Sequence, residues 1–491
     1  MENETVVRGE SLPIHPNGMI VEVDEVPQKK SQSIVLAIQH VLAMFVACIT
    51  VPMLVFGGTN IEWNGELVNL ASLMIAPTIC SAGIGTLFYL FITKGKSPMF
   101  LASSFAYMAA MSSAIQIDAG SGQVNLWILP VGMAMVCAVY CLVALLIRFF
   151  GVGWLNKLLP PVVVGPVIMV IGLSLAGSAV NNLMNTAASA ENYNWACIVS
   201  GLVAMVGTAL AAHYGKKTVS LIPFLIGMGA GYLAAVLFTV FGYYIGGNEY
   251  FRVVNFDPLV QLFSHIRFSS FLDYPKFLFV IGASSSSVVP LSGNAVAQAS
   301  LIFIPVSLVT ICEHIGDHKN MSGLLQRDLL EKPGLTRTLI GDGVATGLSG
   351  LLCGAANTTY GENVAVVGVT KIASTKVIGL ATFFAMGLAF FSPLMGLTQT
   401  IPSCVTGGIS LLLYGFIASS GVKMLIHEHV DMTKTRNIFI ASVILVAGIG
   451  GLLFRFPIGN TAISTSGVSI AMILGILMNV ILREKKDAKT E

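Results

Sequence analysis

The chain has 491 residues, of which 55% are hydrophobic and only 10% are charged. Soluble globular domains carry about 25% charged residues, so this composition excludes a soluble protein and indicates one that crosses a membrane several times. The formal net charge is +2, and no basic patch with interleaved aromatic residues points to a nucleic-acid partner. The eight cysteines lack CxxC or CxxH spacing, which supports neither a disulfide framework nor a metal site.

Apolar runs long enough to span a bilayer follow a polar segment, residues 1–30, which we interpret as a cytoplasmic tail. We predict an all-α polytopic protein with about fourteen transmembrane segments, of which the third and tenth are short and irregular. The predicted spans are 33–56, 67–93, 97–115, 124–147, 160–180, 195–213, 219–245, 297–315, 335–353, 356–370, 377–398, 401–421, 437–453 and 467–482.

The distribution of Lys and Arg predicts the orientation of the chain. These residues are concentrated after the even-numbered spans and in a second polar tail, residues 483–491. The positive-inside rule therefore places both termini and the even-numbered loops in the cytoplasm. The region 276–298 is rich in Ser, Gly and Pro, and we interpret it as an extracellular or membrane-dipping lead-in to the eighth span.

The two irregular spans suggest an internal repeat. Small and polar residues interrupt the third span at 103–107 (SSFAY) and the tenth at 358–362 (TTYGE). Each is third in a set of about seven spans, and because seven is odd, the second set would enter the membrane inverted. Paired interrupted segments of this kind predict a substrate site at the interface between the repeats.

The tenth span carries a carboxylate, Glu362, within apolar sequence. We predict a short extended segment over 358–360, a bend at Gly361 and a half-length helix that begins near Glu362. An acid is favoured in the first turn of a helix, and a charge at membrane depth is by default a functional hypothesis. The alternative is a re-entrant loop in which Glu362 pairs with a structural Arg or Lys.

Three further acids lie in or at the end of apolar runs. Glu313 and Asp317 are four residues apart and share one face of a helix. Two carboxylates in a dry cavity repel each other and lose solvation, which favours binding a proton. The alternative places Asp317 and His318 in the headgroup region beside Lys319.

Asp342, in the predicted ninth span, is another buried acid. It either accepts hydrogen bonds from backbone amides of a broken helix or takes part in a proton relay.

Two residues outside the acids are candidates for supporting this site. His40, which follows Gln39 in the first span, is more simply a hydrogen-bonded packing residue that supports the site than a proton carrier. Phe105 lies at the break in the third span, where its ring either packs or stacks on a planar ligand.

Several of these motifs resemble the nucleobase–ascorbate transporter (nucleobase:cation symporter-2) family, and in particular its bacterial uracil permeases. The family signature is matched by YGEN at 360–363 followed by TK at 370–371. Further matches are QH at 39–40, SSFA at 103–106, EHIG at 313–316, RDLL at 327–330 with PGL at 333–335, and GGISLLLYG at 407–415. Together they cover most of the apolar part of the chain.

The resemblance implies a fold and a function. It implies two inverted repeats of about seven spans, a core domain (31–157 and 276–398) and a gate domain (158–275 and 399–482), with dimerisation through gate helices. It also implies import of uracil by proton symport across the cell membrane, with no cofactor besides the proton. Uracil would be held between short extended segments, or strands, in spans 3 and 10. By position, Glu313 and Glu362 would hydrogen-bond the pyrimidine, and backbone groups of Phe105 and Gly361 would complete the contacts.

We also predict supporting roles for other residues. Gln39, His40, Tyr360 and Asn363 would support the site, while Asp317 and Asp342 would join Glu313 in proton coupling.

Ala365 stands where the signature has Gly, and Asp317 stands where a uracil permease of this family has His and purine carriers have Asp. A xanthine or uric acid carrier is therefore the main alternative. An anion transporter of the same architecture is more remote, and the absence of HExxH, GxSxG and phosphate-loop motifs argues against an enzyme.

Overall fold

The computed structural model describes residues 15–63, 65–115, 124–186, 189–216, 218–277, 288, 291–458 and 461–482. The α-helices are α1 (Lys30–Phe56), α2 (Leu70–Ile92), α3 (Met108–Ala114), α4 (Ile128–Phe150), α5 (Gly153–Leu158), α6 (Pro161–Leu173), α7 (Ala176–Met184), α8 (Trp195–Tyr214), α9 (Thr218–Leu221), α10 (Pro223–Leu237), α11 (Asp257–Ser264), α12 (Gly293–Leu325), α13 (Leu335–Leu351), α14 (Gly361–Thr370), α15 (Thr375–Ala389), α16 (Ser392–Gln399), α17 (Ser403–His427), α18 (Thr435–Ile449) and α19 (Gly467–Ile481).

Short elements complete the described chain. There are π-helical stretches at Phe238–Ile245 and Leu330–Gly334, and 3₁₀ turns at Glu249–Phe251 and Phe268–Ser270. The strands are β1 (Asn60–Trp63), β2 (Glu66–Asn69), β3 (Leu101–Ser103), β4 (Asn185–Thr186), β5 (Ser189–Tyr193), β6 (Asn357–Thr359), β7 (Arg455–Ile458) and β8 (Thr461–Ser464). They form antiparallel pairs β1–β2, β3–β6, β4–β5 and β7–β8.

The helices are those of a multi-pass membrane protein. Eight helical segments in the described part of the chain are long and apolar enough to cross a membrane. Three shorter apolar helices, α15, α18 and α19, have 15 residues each. The predicted eighth span, 297–315, lies within α12, which is longer than the span. α12 has 33 residues, because the helix continues through the polar sequence that follows residue 315. Hydropathy marks the end of an apolar run and not the end of a helix.

The long helices pack in two groups. In one group α2 packs against α1, α13 and α15, and α4 packs against α12 and α13. In the other, α17 packs against α6, α7 and α8, while α8 packs against α10 and α18 packs against α6 and α19. Contacts between α12 and α19, and between α1 and α10, join the groups. A buried cluster that includes Ile302 of α12 and Met472 of α19 fills part of this boundary.

Strands β3 and β6 form an antiparallel pair within the first group, at the breaks in the third and tenth predicted spans. Their register pairs Leu101 with Thr359 and Ser103 with Asn357. Backbone hydrogen bonds extend the pairing at both ends, from Ser104 N to Ala356 O (2.7 Å) and from Tyr360 N to Phe100 O (3.1 Å). These strands satisfy each other's backbone groups, which is what broken backbone buried in a membrane protein requires.

The described part of the first predicted tail is packed against the protein. Val21 forms a parallel β-bridge with Ile372, in the linker between α14 and α15. Residues 1–14 and the second predicted tail, 483–491, lie outside the described residues. Of the predicted lead-in at 276–298, only 276–277, 288 and 291–298 are described, and α12 begins within it at Gly293.

Candidate functional site

Glu362 lies at the start of α14, directly after β6. Tyr360 is extended (φ −116°, ψ 109°), and the helix begins at Gly361, which places Glu362 in its first turn. The half-buried Glu362 side chain lines a narrow cleft of about 100 Å³. The other lining residues come from α1 (Leu42, Ala43, Val46), from residues 220–225 at the start of α10, and from Ala365. Within the described residues Glu362 forms no ion pair with Arg or Lys.

The acids of α12 face the same region as Glu362. Asp317 is held by β6, because the Thr359 hydroxyl donates to its Oδ2 at 2.7 Å. A Cβ atom added at Gly361 would lie 3.8 Å from Asp317 Oδ1, so this carboxylate borders the start of α14. Glu313 lies one turn before Asp317 on α12, which packs against α13 and α14, the helices that carry Asp342 and Glu362. The structure therefore brings together four predicted acids that come from α12, α13 and α14.

Asp342 has a partner that the sequence did not indicate. His314 Nδ1 lies 2.7 Å from Asp342 Oδ2, and both side chains are fully buried. α13, which carries Asp342, also packs against β6. Asp342 is thus paired with α12 and does not line the cleft at Glu362.

The His318 side chain is fully buried inside the protein. Its Nδ1 lies 2.8 Å from the His314 carbonyl oxygen, which only accepts, so Nδ1 carries the proton. Its Nε2 then accepts from the Tyr89 hydroxyl at 2.7 Å when the ring is neutral. The two imidazole rings stack with centroids 4.1 Å apart.

The remaining predicted residues surround the start of α14. Asn363 Nδ2 donates to His40 Nδ1 (3.0 Å) and to the His40 carbonyl (3.1 Å), which ties α14 to α1. Gln39 precedes His40 on α1 and is half-buried. Phe105 lies in the turn between β3 and α3, with its ring centroid 6.3 Å from that of Tyr360. All these side chains lie in the first helix group.

Sequence reasoning missed three contributors: His314, Thr359 and Tyr89. The spacing of His314 and His318, four residues apart, was a usable signal because it places both rings on one helix face, about a quarter turn around the helix from Glu313. Thr359 was visible only as part of a polar run, and nothing in the sequence connected Tyr89 to α12.

Comparisons with known proteins show the family to which the chain belongs. Residues 31–455 match the Permease family. The uracil permease of Bacillus subtilis is 37% identical over 458 residues, which is 93% of each chain. The uracil permease of Escherichia coli K12 is 33% identical over 453 residues, 92% of this chain and 91% of the other.

Solved structures with the same fold are distant in sequence. The murine anion transporter Slc26a9, in an inward-facing state, superposes with a TM-score of 0.59 at 10% identity, covering 93% of this chain and 69% of that one. The transmembrane domain of the cyanobacterial bicarbonate transporter BicA gives a TM-score of 0.53 at 13% identity, covering 93% and 99%. With a family match over most of its length and relatives above 30% identity, this chain belongs to the permease family and is a multi-pass membrane transporter, not an enzyme.

Proposed function

We propose that this transporter imports uracil across the cell membrane by proton symport. The observation that carries the proposal is that α12, which carries Glu313, packs against α14, which carries Glu362, and against β6 of the β3–β6 pair. The similarity to relatives named uracil permeases supports the same substrate. No metal or organic cofactor enters the proposal, because the proton is the coupling ion.

The chemistry of uracil suits two carboxyl groups in different protonation states. Uracil is planar and offers two N–H donors and two carbonyl acceptors. An ionised carboxylate only accepts hydrogen bonds, whereas a protonated one also donates. In the proposed complex Glu362 accepts from ring N–H groups and protonated Glu313 donates to a carbonyl. Backbone groups at Phe105 and Gly361 complete the contacts, and the Phe105 and Tyr360 rings border the flat ligand.

Proton coupling is assigned to the acids of α12 and α13. Like charges in a dry cavity repel, so a group of neighbouring carboxylates favours binding at least one proton. Asp317 accepts from Thr359 and Asp342 is paired with His314, so each has a partner that orients it. We assign the exchanged proton to Glu313. The neighbouring acids Asp317 and Asp342 influence the electrostatic potential at Glu313. Gln39, His40 and Asn363 hold the start of α14 in place.

The wider architecture follows the same proposal. We assign about fourteen segments to two inverted repeats, with β3 and β6 in the third segment of each. The first helix group forms the core domain and the second the gate domain, with both termini in the cytoplasm. Two copies associate through gate helices. The cleft at Glu362 lies between α1 of the core and residues 220–225 of the gate, where relative movement of the two domains would open or close it.

A xanthine or uric acid carrier is the second candidate, and Asp317 favours it. A second oriented carboxylate beside Gly361 offers another acceptor to a ligand with more N–H donors than uracil. An anion substrate is disfavoured despite the shared fold, because four neighbouring acids would repel it.

The experiment is uptake of labelled uracil into cells that lack their own carrier, in competition with xanthine and thymine. The proposal predicts uptake that unlabelled uracil suppresses and xanthine does not. Stronger suppression by xanthine would transfer the assignment to the purine carriers.

A further inference from the structure

The N-terminal strap, residues 15–25, is joined to the linker that follows α14. Ile20 N donates to the Lys371 carbonyl at 2.8 Å, and Ala373 N donates to the Val21 carbonyl at 2.9 Å. Farther along, Thr375 N donates to the Val23 carbonyl at 3.1 Å. This ladder fixes the chain immediately after the helix that carries Glu362.

The same strap reaches the end of α12. Asn17 Nδ2 donates to the Leu325 carbonyl at 3.0 Å, which satisfies one of the carbonyl groups left free where a helix ends. Asn17 also contacts the Glu22 carboxylate within the strap, and His15 Nε2 lies 3.0 Å from Glu25 Oε2. The strap is therefore held in shape by its own side chains while it bridges the helix that carries Glu313 to the linker after α14.

Alternate residues of the strap fill the space between these helices. Met19 and Val23 are fully buried, and Val21 is 6% exposed. Met19 and Val23 belong to one buried cluster with residues of α12 (Met321, Leu325) and of α14 (Val364, Val367). Val26, the residue directly after the strap, is 47% exposed and outside this cluster.

We propose that the N-terminal strap is a positioning element for transport, which sets the spacing between the α12 acids and Glu362. The α14 helix has only 10 residues and follows a three-residue strand, so it relies on packing to hold its orientation. Met19 supplies that packing from the side opposite to the cleft. The strap stays docked through the cycle and moves with α12 and α14 as one body. The inference rests on the proposed function only where the experiment measures uracil transport.

The test compares full-length variants Met19→Asp and Val26→Asp, with Met19→Leu as the conservative rescue. Hydrogen exchange of residues 313–325 and 361–370 is measured alongside the KM for labelled uracil, each normalised to folded transporter. We expect Met19→Asp to raise KM by tenfold or more and to speed exchange in both helices. Val26→Asp and Met19→Leu should match the wild type. A purely structural strap would lower the amount of folded protein without moving KM.

If Met19→Asp does not fold, Met19→Ala and Asn17→Ala take its place with the same readouts. Unchanged exchange and unchanged KM in a folded Met19 or Asn17 variant would overturn the inference. A wild type that neither binds nor transports uracil would remove the proposed function instead, and the exchange measurement would still decide whether the strap holds the two helices.

Discussion

His314 and Asp342 form a fully buried pair, with Nδ1 and Oδ2 2.7 Å apart. The pair joins α12 to α13 at the level of β6, so it fixes the backbone from which Glu313 projects. Removing one partner of such a hydrogen-bonded pair leaves the other polar group buried and unsatisfied, which costs about 1–3 kcal/mol. Replacing both partners with apolar residues avoids that penalty and is often close to neutral.

We therefore expect His314→Leu to lower the free energy of unfolding by about 1–3 kcal/mol. The measurement is thermal or denaturant unfolding of the purified protein in detergent. The double variant His314→Leu with Asp342→Leu should recover much of the loss. A single variant as stable as the wild type, or a double variant with purely additive losses, would contradict the pairing.

The Glu362→Gln variant tests the proposed substrate contact. A neutral amide has one accepting oxygen and no negative charge, so it is a weaker acceptor than a carboxylate, and its NH₂ group introduces a donor. We expect uracil uptake to be lost, or redirected to a purine, while the protein still reaches the membrane. Glu331→Gln, at an exposed site, is the matched control. Normal uracil uptake by Glu362→Gln would refute the contact.

The Glu313→Gln variant tests proton coupling. If uracil binds together with a proton on Glu313, wild-type uptake falls as the external pH rises, because the protonated fraction falls. An amide cannot take up that proton, so uptake by the variant should be slower and nearly flat with pH. The pH profile of initial uptake rates measures this, again with Glu331→Gln as control. A variant that keeps the full pH dependence would exclude Glu313 as the proton carrier.

The packing of α17 against α8 gives a prediction about stability alone. A Cβ atom at Gly408 would collide with the Gly201 carbonyl oxygen, whereas one at Gly415 on the same helix would meet nothing within 4 Å. Gly408→Ala should therefore cost about 1–3 kcal/mol or more by overpacking. Gly415→Ala should be neutral or slightly stabilising, since Ala favours helix by about 1 kcal/mol. Equal melting temperatures for the two variants would show that the helices are not in close contact.

The sequence predicted the site residues better than it predicted the structure around them. Glu362 stood out because a carboxylate after Gly within apolar residues has few structural explanations. The pairing of β3 with β6 was beyond reach, since it joins segments of three residues that are more than 250 positions apart. Local pattern cannot specify such a register, because each strand is too short to show a period.

Two other features had signals that a search for apolar runs does not detect. Val21 and Val23 alternate with Glu22 and Asp24, which is the period of a strand with one buried face. Overall polarity concealed this alternation in the segment read as a tail. The extension of α12 past residue 315 was missed for a related reason, since Asp317 and His318 are polar yet contact other parts of the protein.

Whether Glu313 and Glu362 hold a nucleobase together with a proton is tested most directly by uptake of labelled uracil. Purified transporter in proteoliposomes is given an imposed pH gradient, acidic outside. We expect uracil to accumulate, and we expect a protonophore or the Glu362→Gln substitution to abolish the accumulation. Accumulation that is independent of the gradient, or sulfate uptake without uracil uptake, would contradict the claim that Glu313 and Glu362 hold a nucleobase together with a proton.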